Sequence, residues 1–569
     1  MTGALRLPLP RRLAGACLAH GDQEILSTAF AHAVTACVDG TRPSFTIVER
    51  AAPDRVTVAL ADADAAALWA VWTVFVERLR ELVGEVAVPT PGGDCVTHAI
   101  RRLAEERGSA VAIEDDRESF TYARLAELAR AASGLDGVVG IVGTASARFF
   151  AAAAAVMGAN CAYLPLDARQ PADRLLRMVR QASCRVVIDV GDGMPDLPGP
   201  RVVPWADLVH GRVGGSGESA VETPAYVMFT SGSTGVPRGA VVGRSSLWSL
   251  CRWVARTVGL THGTVVSQVA SVSFDASALE VWPALAAGAR VCVAPHDARL
   301  DPFELVEWLA DRQVEYCFSP TPMAELVMRA PWPPTAALRA LGTGGDRLHA
   351  VPSELPFRVL NQYGPTECTI VATAGWVEPG GDELPPIGLP LPFNHHLVVS
   401  ESGSPLPPGT EGELWIGGTG VGLGYVGDLH ATRERFVPNP HSDAGETVYR
   451  TGDIVRERAD GRLEFVGRRD RQVKISGARV ELGDVEATVR AVPGVVTAVA
   501  DPGERRLVVF VVAEPDTGGG LVEAVRAALP TFLRYSRIVV VDTIPLNHNG
   551  KTDLATLRTR VDLATDHTP

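Results

Sequence analysis

Residues 226–239 read Tyr226-Val227-Met228-Phe229-Thr230-Ser231-Gly232-Ser233-Thr234-Gly235-Val236-Pro237-Arg238-Gly239, an apolar β-prone run passing directly into hydroxyls and glycines. Gly232, Gly235 and Gly239 permit backbone torsions closed to other residues and bring N–H groups close to an anion. Thr230, Ser231, Ser233 and Thr234 add hydroxyl donors, and Arg238 adds a cation. The stretch reads as a strand delivering a phosphate-binding loop, although Gly/Ser-rich segments are also ordinary surface turns. It lacks the Gly-Lys-Ser/Thr ending of a Walker A loop. Gly550-Lys551-Thr552 has that ending but carries Pro545 where the first glycine belongs, which argues against a P-loop nucleotidase.

Working outward, Ser245 or Ser246 can cap a helix in which Leu247, Leu250, Cys251 and Val254 follow helical spacing, so the loop is expected between a strand and a helix. Across residues 98–465 short β-branched runs alternate with helices, with strands expected at 110–113, 138–142, 186–190, 226–229, 265–269 and 291–293. Such alternation implies a layered α/β architecture. Residues 1–90 show helical patterns at 25–38 and 63–83 and strand patterns at 44–48 and 55–60, followed by the linker Pro89-Thr90-Pro91-Gly92-Gly93. After residue 470 a smaller unit is expected, with helices at 482–492 and 521–529 and strands at 496–499, 507–512 and 538–541. The alanines at 151–155 indicate close helix packing.

A chain of 569 residues exceeds one compact core and suggests three or four units of about 100 to 200 residues. The formal charge of -13 comes with interspersed acids and bases, unlike the concentrated basic stripe of a nucleic-acid surface, so no nucleic-acid partner is expected. Nine cysteines are scattered singly, without zinc or redox spacing, as in reduced cytoplasmic proteins. The longest apolar stretch, 149–159, falls well short of a membrane span of about 20 residues. Arg6, Arg11 and Arg12 are interrupted by prolines and followed by no cleavable apolar segment, so a secretory leader is not expected.

Further segments combine glycine with unusual polar residues. In Asn361-Gln362-Tyr363-Gly364-Pro365-Thr366-Glu367 the aromatic can stack a base, the hydroxyl can meet a phosphate and the carboxylate can hold Mg2+, although a Gly-Pro turn beside a core tyrosine looks the same. In Tyr449-Arg450-Thr451-Gly452-Asp453 a carboxylate beside glycine suits two ribose hydroxyls, although taken alone it reads first as a helix-cap or turn aspartate. Gly467-Arg468-Arg469-Asp470-Arg471-Gln472-Val473-Lys474-Ile475-Ser476-Gly477 follows, and Asn549-Gly550-Lys551-Thr552-Asp553 presents a lysine near the C-terminus.

Together these segments resemble the ANL superfamily of adenylate-forming enzymes, and most closely the amino-acid adenylation domains of nonribosomal peptide synthetases. Phe120-Thr121-Tyr122-Ala123-Arg124-Leu125, Ala162-Tyr163-Leu164-Pro165-Leu166-Asp167, Ser273-Phe274-Asp275-Ala276-Ser277 and Gly412-Glu413-Leu414-Trp415-Ile416-Gly417-Gly418 also match, in family order over about residues 98–560. The resemblance implies an α/β fold with a large multi-layer adenylate-forming core at 93–469. That core would hold β-sheets flanked by helices and a β-barrel-like part. A small mobile α+β lid would follow at 470–563, hinged at Asp470, with a tail at 564–569. It also implies two half-reactions: a carboxylate attacks the ATP α-phosphate to give an aminoacyl-adenylate and pyrophosphate, and a carrier protein's phosphopantetheine thiol then takes the acyl group. In this scheme Thr230, Ser231, Gly232, Ser233, Thr234, Gly235, Arg238 and Gly239 grip the β- and γ-phosphates. Tyr363 stacks on adenine with Gly364 also in the ATP site, Asp453 and Arg468 hold the ribose, Thr366 contacts the α-phosphate and Glu367 helps place Mg2+. Lys551 bridges the substrate carboxylate and the adenylate, and Lys474, Ser476 and Gly477 approach the pantetheine path after the lid rotates.

By the same resemblance Asp275 pairs with a substrate α-ammonium, and Ala276, Leu279, Phe318, Gly342, Gly344, Gln362, Ile370 and Val371 line the side-chain pocket. Apart from Asp275 this set is uncharged, which favours a neutral, medium-sized hydrophobic amino acid with Gln362 available for one polar group. The sequence departs from the family in having Arg238 where lysine is usual and in lacking the later proline of the segment starting Leu529-Pro530. No serine-bearing carrier segment follows Lys551, so the carrier is expected in trans. An MbtH-like helper is a further partner that the resemblance admits. Residues 1–92 faintly resemble a condensation domain without its His-His-x-x-x-Asp-Gly run, and read as a remnant or docking extension. The competing readings are an acyl- or aryl-CoA ligase of the same fold, which would not need Asp275, and a catalytically silent nucleotide-sensing or scaffold protein.

Overall fold

The computed structural model describes residues 3–8, 45–52, 55–60, 95–212, 224–230, 237–349, 351–381, 384–442, 446–469, 472–475, 478–503, 507–514, 520–545 and 553–563. The chain divides into two compact units, Met1–Gly93 and Asp94–Pro569. In the first, strands Gly3–Pro8, Phe45–Ala52 and Arg55–Leu60 form an antiparallel sheet with Arg55–Leu60 in the centre. The helices expected at 25–38 and 63–83 lie outside the described residues.

The second unit is built on layered sheets. One has seven strands in the order Gly424–Tyr425, β2 (Arg238–Gly243), β1 (Pro224–Thr230), Ala162–Asp167, Val138–Gly143, Val186–Asp189 and Arg201–Pro204. Its strand β1 is buried from Ala225 to Phe229, which explains the unbroken apolar run, since a strand covered on both faces needs no alternation. Helix α1 (Ala172–Gln181) follows the strand Ala162–Asp167. The alanines at 151–155 are almost wholly buried in the helix Ala147–Gly158.

Two local expectations fail here. The loop after Thr230 connects an antiparallel strand pair, with Thr230 opposite Arg238, and the helix follows only after β2. The cause lies in Arg238-Gly239-Ala240-Val241-Val242, which is β-prone and buried enough to return into the sheet before helix formation. That helix, Arg244–Val258, has Gly243 at its N-cap without a side-chain cap, so Ser245 and Ser246 sit in its first turn.

The second sheet has nine strands and contains the parallel neighbours β3 (Tyr316–Pro320), β4 (Ala340–Gly344) and β5 (Arg358–Tyr363). Side chains alternate across it: Tyr316, Phe318, Ala340 and Leu360 enter the core shared with Leu279 of α2 (Ala276–Ala287), while Cys317, Leu341 and Val359 enter the core on the opposite face. A third sheet pairs β6 (Thr447–Glu457) with β7 (Leu463–Arg468), placing Asp453 opposite Arg468.

The C-terminal part has the sheet Val495–Asp501, Val508–Ala513 and Arg537–Val540. Helices α3 (Leu482–Arg490) and Leu521–Ala528 pack with Ala498, Ala500, Val509 and Val511. Helix α4 (Leu554–Leu563) sets Leu557 against Val499, Val508 and Phe510 on the other face.

Candidate functional site

The ends of these sheets converge on a cavity of about 130 Å³ lined by Thr230, Asp275, Tyr363, Gly364, Thr366, Asp453 and Arg468 among others. Tyr363, at the end of β5, donates its hydroxyl to Asp453 Oδ2, and Arg468 Nη1 donates to Asp453 Oδ1. Arg468 Nη2 also bonds the Thr451 carbonyl at 3.2 Å, while Thr451 Oγ1 accepts the Asp453 N–H at 2.9 Å. The carboxylate, carried on β6, is thus fixed by donors from β5 and β7. Burial pushes the Tyr363 hydroxyl well above its ordinary pKa, and the Asp453 charge adds to this, so it stays a donor.

A strained turn carries the next groups. After Thr366–Cys368, Thr369 and the β-branched Ile370 take positive φ angles of 56° and 69°. Thr369 Oγ1 bonds the Gly420 carbonyl at 2.7 Å, and the Ala372 N–H bonds the Tyr363 carbonyl at 2.7 Å, which holds the turn closed. Gly364 is required by this closure, because a Cβ there would meet Ile370 O at 2.5 Å and Ala372 N at 2.6 Å. Within the turn Glu367 is buried and accepts the Tyr425 hydroxyl at 2.6 Å. Arg238 in turn stands 5.6 Å from the centre of the Tyr425 ring.

Asp275, at the start of α2, opens onto the cavity yet is closely surrounded by protein. Burial pushes its carboxyl up to about 6, opposed by a hydrogen bond from Thr366 and raised further by the Glu367 charge. Asp275, Thr366 and Glu367 are therefore one electrostatic group. Beneath them Leu279, Phe318, Ile370 and Val371 share one apolar core. Gly342 faces the Gln362 amide, and a Cβ on Gly344 would meet the Gln362 carbonyl oxygen at 2.3 Å. Ala276 lies directly after Asp275, so the side-chain positions named from sequence gather between α2 and the β3–β4–β5 surface.

The C-terminal part closes the cavity with Val480, Asp484, Val485 and Thr488 together with Pro530, Phe532 and Leu533. Phe532 meets Phe274 edge-on at 5.5 Å, and Thr531 Oγ1 donates to the Arg169 carbonyl at 3.1 Å. Arg174 of α1 lines the same opening; burial lowers its pKa, and the Asp484 charge opposes the change. None of these contacts is legible from the sequence, since each joins positions hundreds of residues apart. Tyr425 gives no sequence signal for a related reason: it arrives on a two-residue strand beside Ala240, too short for any periodicity. Ser231, Gly232, Ser233, Thr234, Gly235, Asp470, Ser476, Gly477 and Lys551 lie outside the described residues, as does the side chain of Lys474. Among the described residues, no cluster of three metal-ligating side chains occurs and no helix is long and apolar enough to cross a membrane.

Residues 100–426, more than half of the chain, match the AMP-binding enzyme family, and residues 484–551 match the AMP-binding enzyme C-terminal domain. A linear gramicidin synthase of Brevibacillus parabrevis is 39% identical over 419 residues, covering 70% of this chain and 8% of that synthase. Phosphinothricin tripeptide synthetase PhsB of Streptomyces viridochromogenes is 35% identical over 522 residues, covering 84% of this chain and 43% of its own length. This chain therefore spans less than half of either relative. Among solved structures, holo-PA1221, an NRPS protein containing adenylation and PCP domains bound to a vinylsulfonamide inhibitor, superposes with a TM-score of 0.69 at 27% identity. That match covers 82% of this chain and 84% of the other. The chain belongs to the AMP-binding enzymes of the ANL superfamily and is an adenylate-forming ligase of the nonribosomal peptide synthetase adenylation-domain kind.

Proposed function

We propose that this adenylate-forming enzyme activates a neutral, medium-sized and largely hydrophobic amino acid as its aminoacyl-AMP, then transfers the acyl group to the phosphopantetheine thiol of a separate carrier protein. The observation that carries the reading is Asp275 lining the same cavity as Tyr363, Thr366, Asp453 and Arg468, which sets an ammonium-binding carboxylate beside groups suited to a nucleotide.

The substrate ammonium pairs with Asp275 while the side chain enters the pocket between α2 and β3–β4–β5. Adenine lies against Tyr363 and Gly364. Asp453, fixed by Tyr363 and Arg468, still has lone pairs for two ribose hydroxyls. In the first step a substrate carboxylate oxygen bonds to the α-phosphorus and the bond to the bridging oxygen of pyrophosphate breaks. Thr366 contacts the α-phosphate, Lys551 bridges carboxylate and phosphate, and the 230–239 loop with Arg238 receives the leaving charge. Adenylyl transfer needs positioning and charge neutralisation more than a general base, which suits this set.

An adenylate-forming enzyme uses ATP, ordinarily with Mg2+. A single buried carboxylate fits Mg2+, which is commonly held by one or two carboxylates plus phosphate oxygens, and Glu367 is that group. The ion would neutralise phosphate charge.

For the second step, α3 faces the cavity while α4, which begins three residues after Lys551, packs on the opposite face of the lid sheet. A lid with chemically different faces is suited to serving two half-reactions by rotation about Asp470. The domain limits 1–92, 93–469, 470–563 and 564–569, with an MbtH-like helper as a further partner, belong to the same proposal. Amino-acid-dependent exchange of pyrophosphate into ATP across an amino-acid panel tests it. Exchange with one or a few amino acids supports the reading. Turnover confined to simple carboxylates with coenzyme A would favour the acyl- or aryl-CoA ligase alternative.

A further inference from the structure

On the pocket side of β3, two residues upstream of Phe318, stands Tyr316, which belongs to none of the motifs above. It is 1% exposed and Gln362 is 4% exposed. Their polar ends converge over Gly342: a Cβ on that glycine would come within 2.6 Å of the Tyr316 hydroxyl and 2.7 Å of Gln362 Oε1. The hydroxyl lies against the Gln362 amide and interacts with it, while both groups keep hydrogen-bonding capacity that no other protein atom uses. The surrounding Leu279, Phe318, Ile370 and Val371 offer no polar atom from their side chains. Leaving hydrogen-bonding capacity unused in an apolar core is costly.

A ligand that supplied the missing bonds would remove that cost. We infer that Tyr316 is a specificity-determining residue, and that Tyr316 with Gln362 selects an amino acid whose neutral side chain ends in a group able both to donate and to accept a hydrogen bond, a carboxamide or a hydroxyl. The inference rests on the amino-acid reading above and sharpens its side-chain preference: an apolar stem passes Leu279 and Phe318, and a polar end meets the Tyr316 hydroxyl and the Gln362 amide that fill the position over Gly342. Tyr316 offers one donor and Gln362 offers both donors and an acceptor, so the pair complements such an end without a charge. A carboxylate or ammonium end would meet no opposite charge among these side chains. A site built for hydrogen bonding rejects the isostere that lacks the group, because its own buried partners are then left unpaired.

The test is pyrophosphate exchange with isosteric pairs: glutamine and methionine, asparagine and leucine, threonine and valine, tyrosine and phenylalanine. In the unaltered protein the best substrate should be the polar member of its pair, favoured in kcat/KM by roughly tenfold or more. Tyr316→Phe should reduce that ratio by about tenfold, and Gln362→Leu should shift preference to the apolar member. Comparing ratios within one variant removes any change in the folded fraction. Preference for the apolar member in the unaltered protein, or an unchanged ratio in Tyr316→Phe, overturns this inference and leaves amino-acid activation standing. Exchange with no amino acid overturns both.

Discussion

Replacing Asp275 by asparagine removes a charge while keeping an oxygen that can accept from Thr366 and from the Ala276 N–H. Asp275 is assigned to the substrate ammonium, so the loss should be that of a charged over a neutral hydrogen bond. Bonds to charged groups contribute about 1.5–3 kcal/mol against about 0.5–1.5 kcal/mol for neutral ones, a difference of about 1–1.5 kcal/mol; since 1.4 kcal/mol is about tenfold, kcat/KM for the amino acid should fall roughly 5- to 12-fold. The pH profile gives a second signature. Burial pushes the Asp275 carboxyl up to about 6, so the ammonium partner is lost as pH falls through that value, and kcat/KM should decline toward unit slope below it. Asp275→Asn has no such titration, and its profile should flatten there. The assay is pyrophosphate exchange between pH 5 and 8 with saturating ATP. Unchanged kcat/KM in the variant, or a bend near pH 6 that persists in it, would refute the assignment.

Lys551→Ala should abolish adenylate formation yet spare thiol transfer from supplied aminoacyl-AMP; equal loss of both in rapid-quench assays would contradict a rotating lid. Asp453→Ala should raise the KM for ATP about tenfold or more and leave amino-acid selectivity intact, read by exchange kinetics at varied ATP. Gly344→Ala should destabilise the protein by about 1–3 kcal/mol, because the new Cβ would lie 2.3 Å from the Gln362 carbonyl oxygen; denaturant titration measures it. Glu280 is raised from 4.5 to about 8 by burial, against hydrogen bonds from the Val269 and Ala270 N–H groups. The folded state therefore binds its proton more tightly than the unfolded one. Its contribution is full below pH 4.5 and is lost as pH rises through about 8, and Glu280→Gln should flatten that decline in denaturation curves.

The groups that are legible in sequence share a local cause. β1 announces itself because a strand covered on both faces is apolar throughout, and Thr366, Glu367 and Gly364 because a tight turn with mixed chemistry stands out from core sequence. The hairpin return through β2 is hidden because the helix signal after Ser245 dominates a six-residue strand. Tyr316 looks like any core tyrosine in sequence; only the folding of β3 against β4 and β5 brings its hydroxyl beside Gln362 over Gly342. Phe274 against Phe532, and Arg174 near Asp484, are set by how the C-terminal part meets α1 and α2, which no local pattern encodes.

The most direct measurement is mass-spectrometric detection of an aminoacyl-AMP formed from ATP and a single amino acid. Amino-acid activation predicts that product with the unaltered protein and its loss in Lys551→Ala. An acyl-AMP formed only from carboxylates lacking an α-amino group, or equal product from Lys551→Ala, would contradict it.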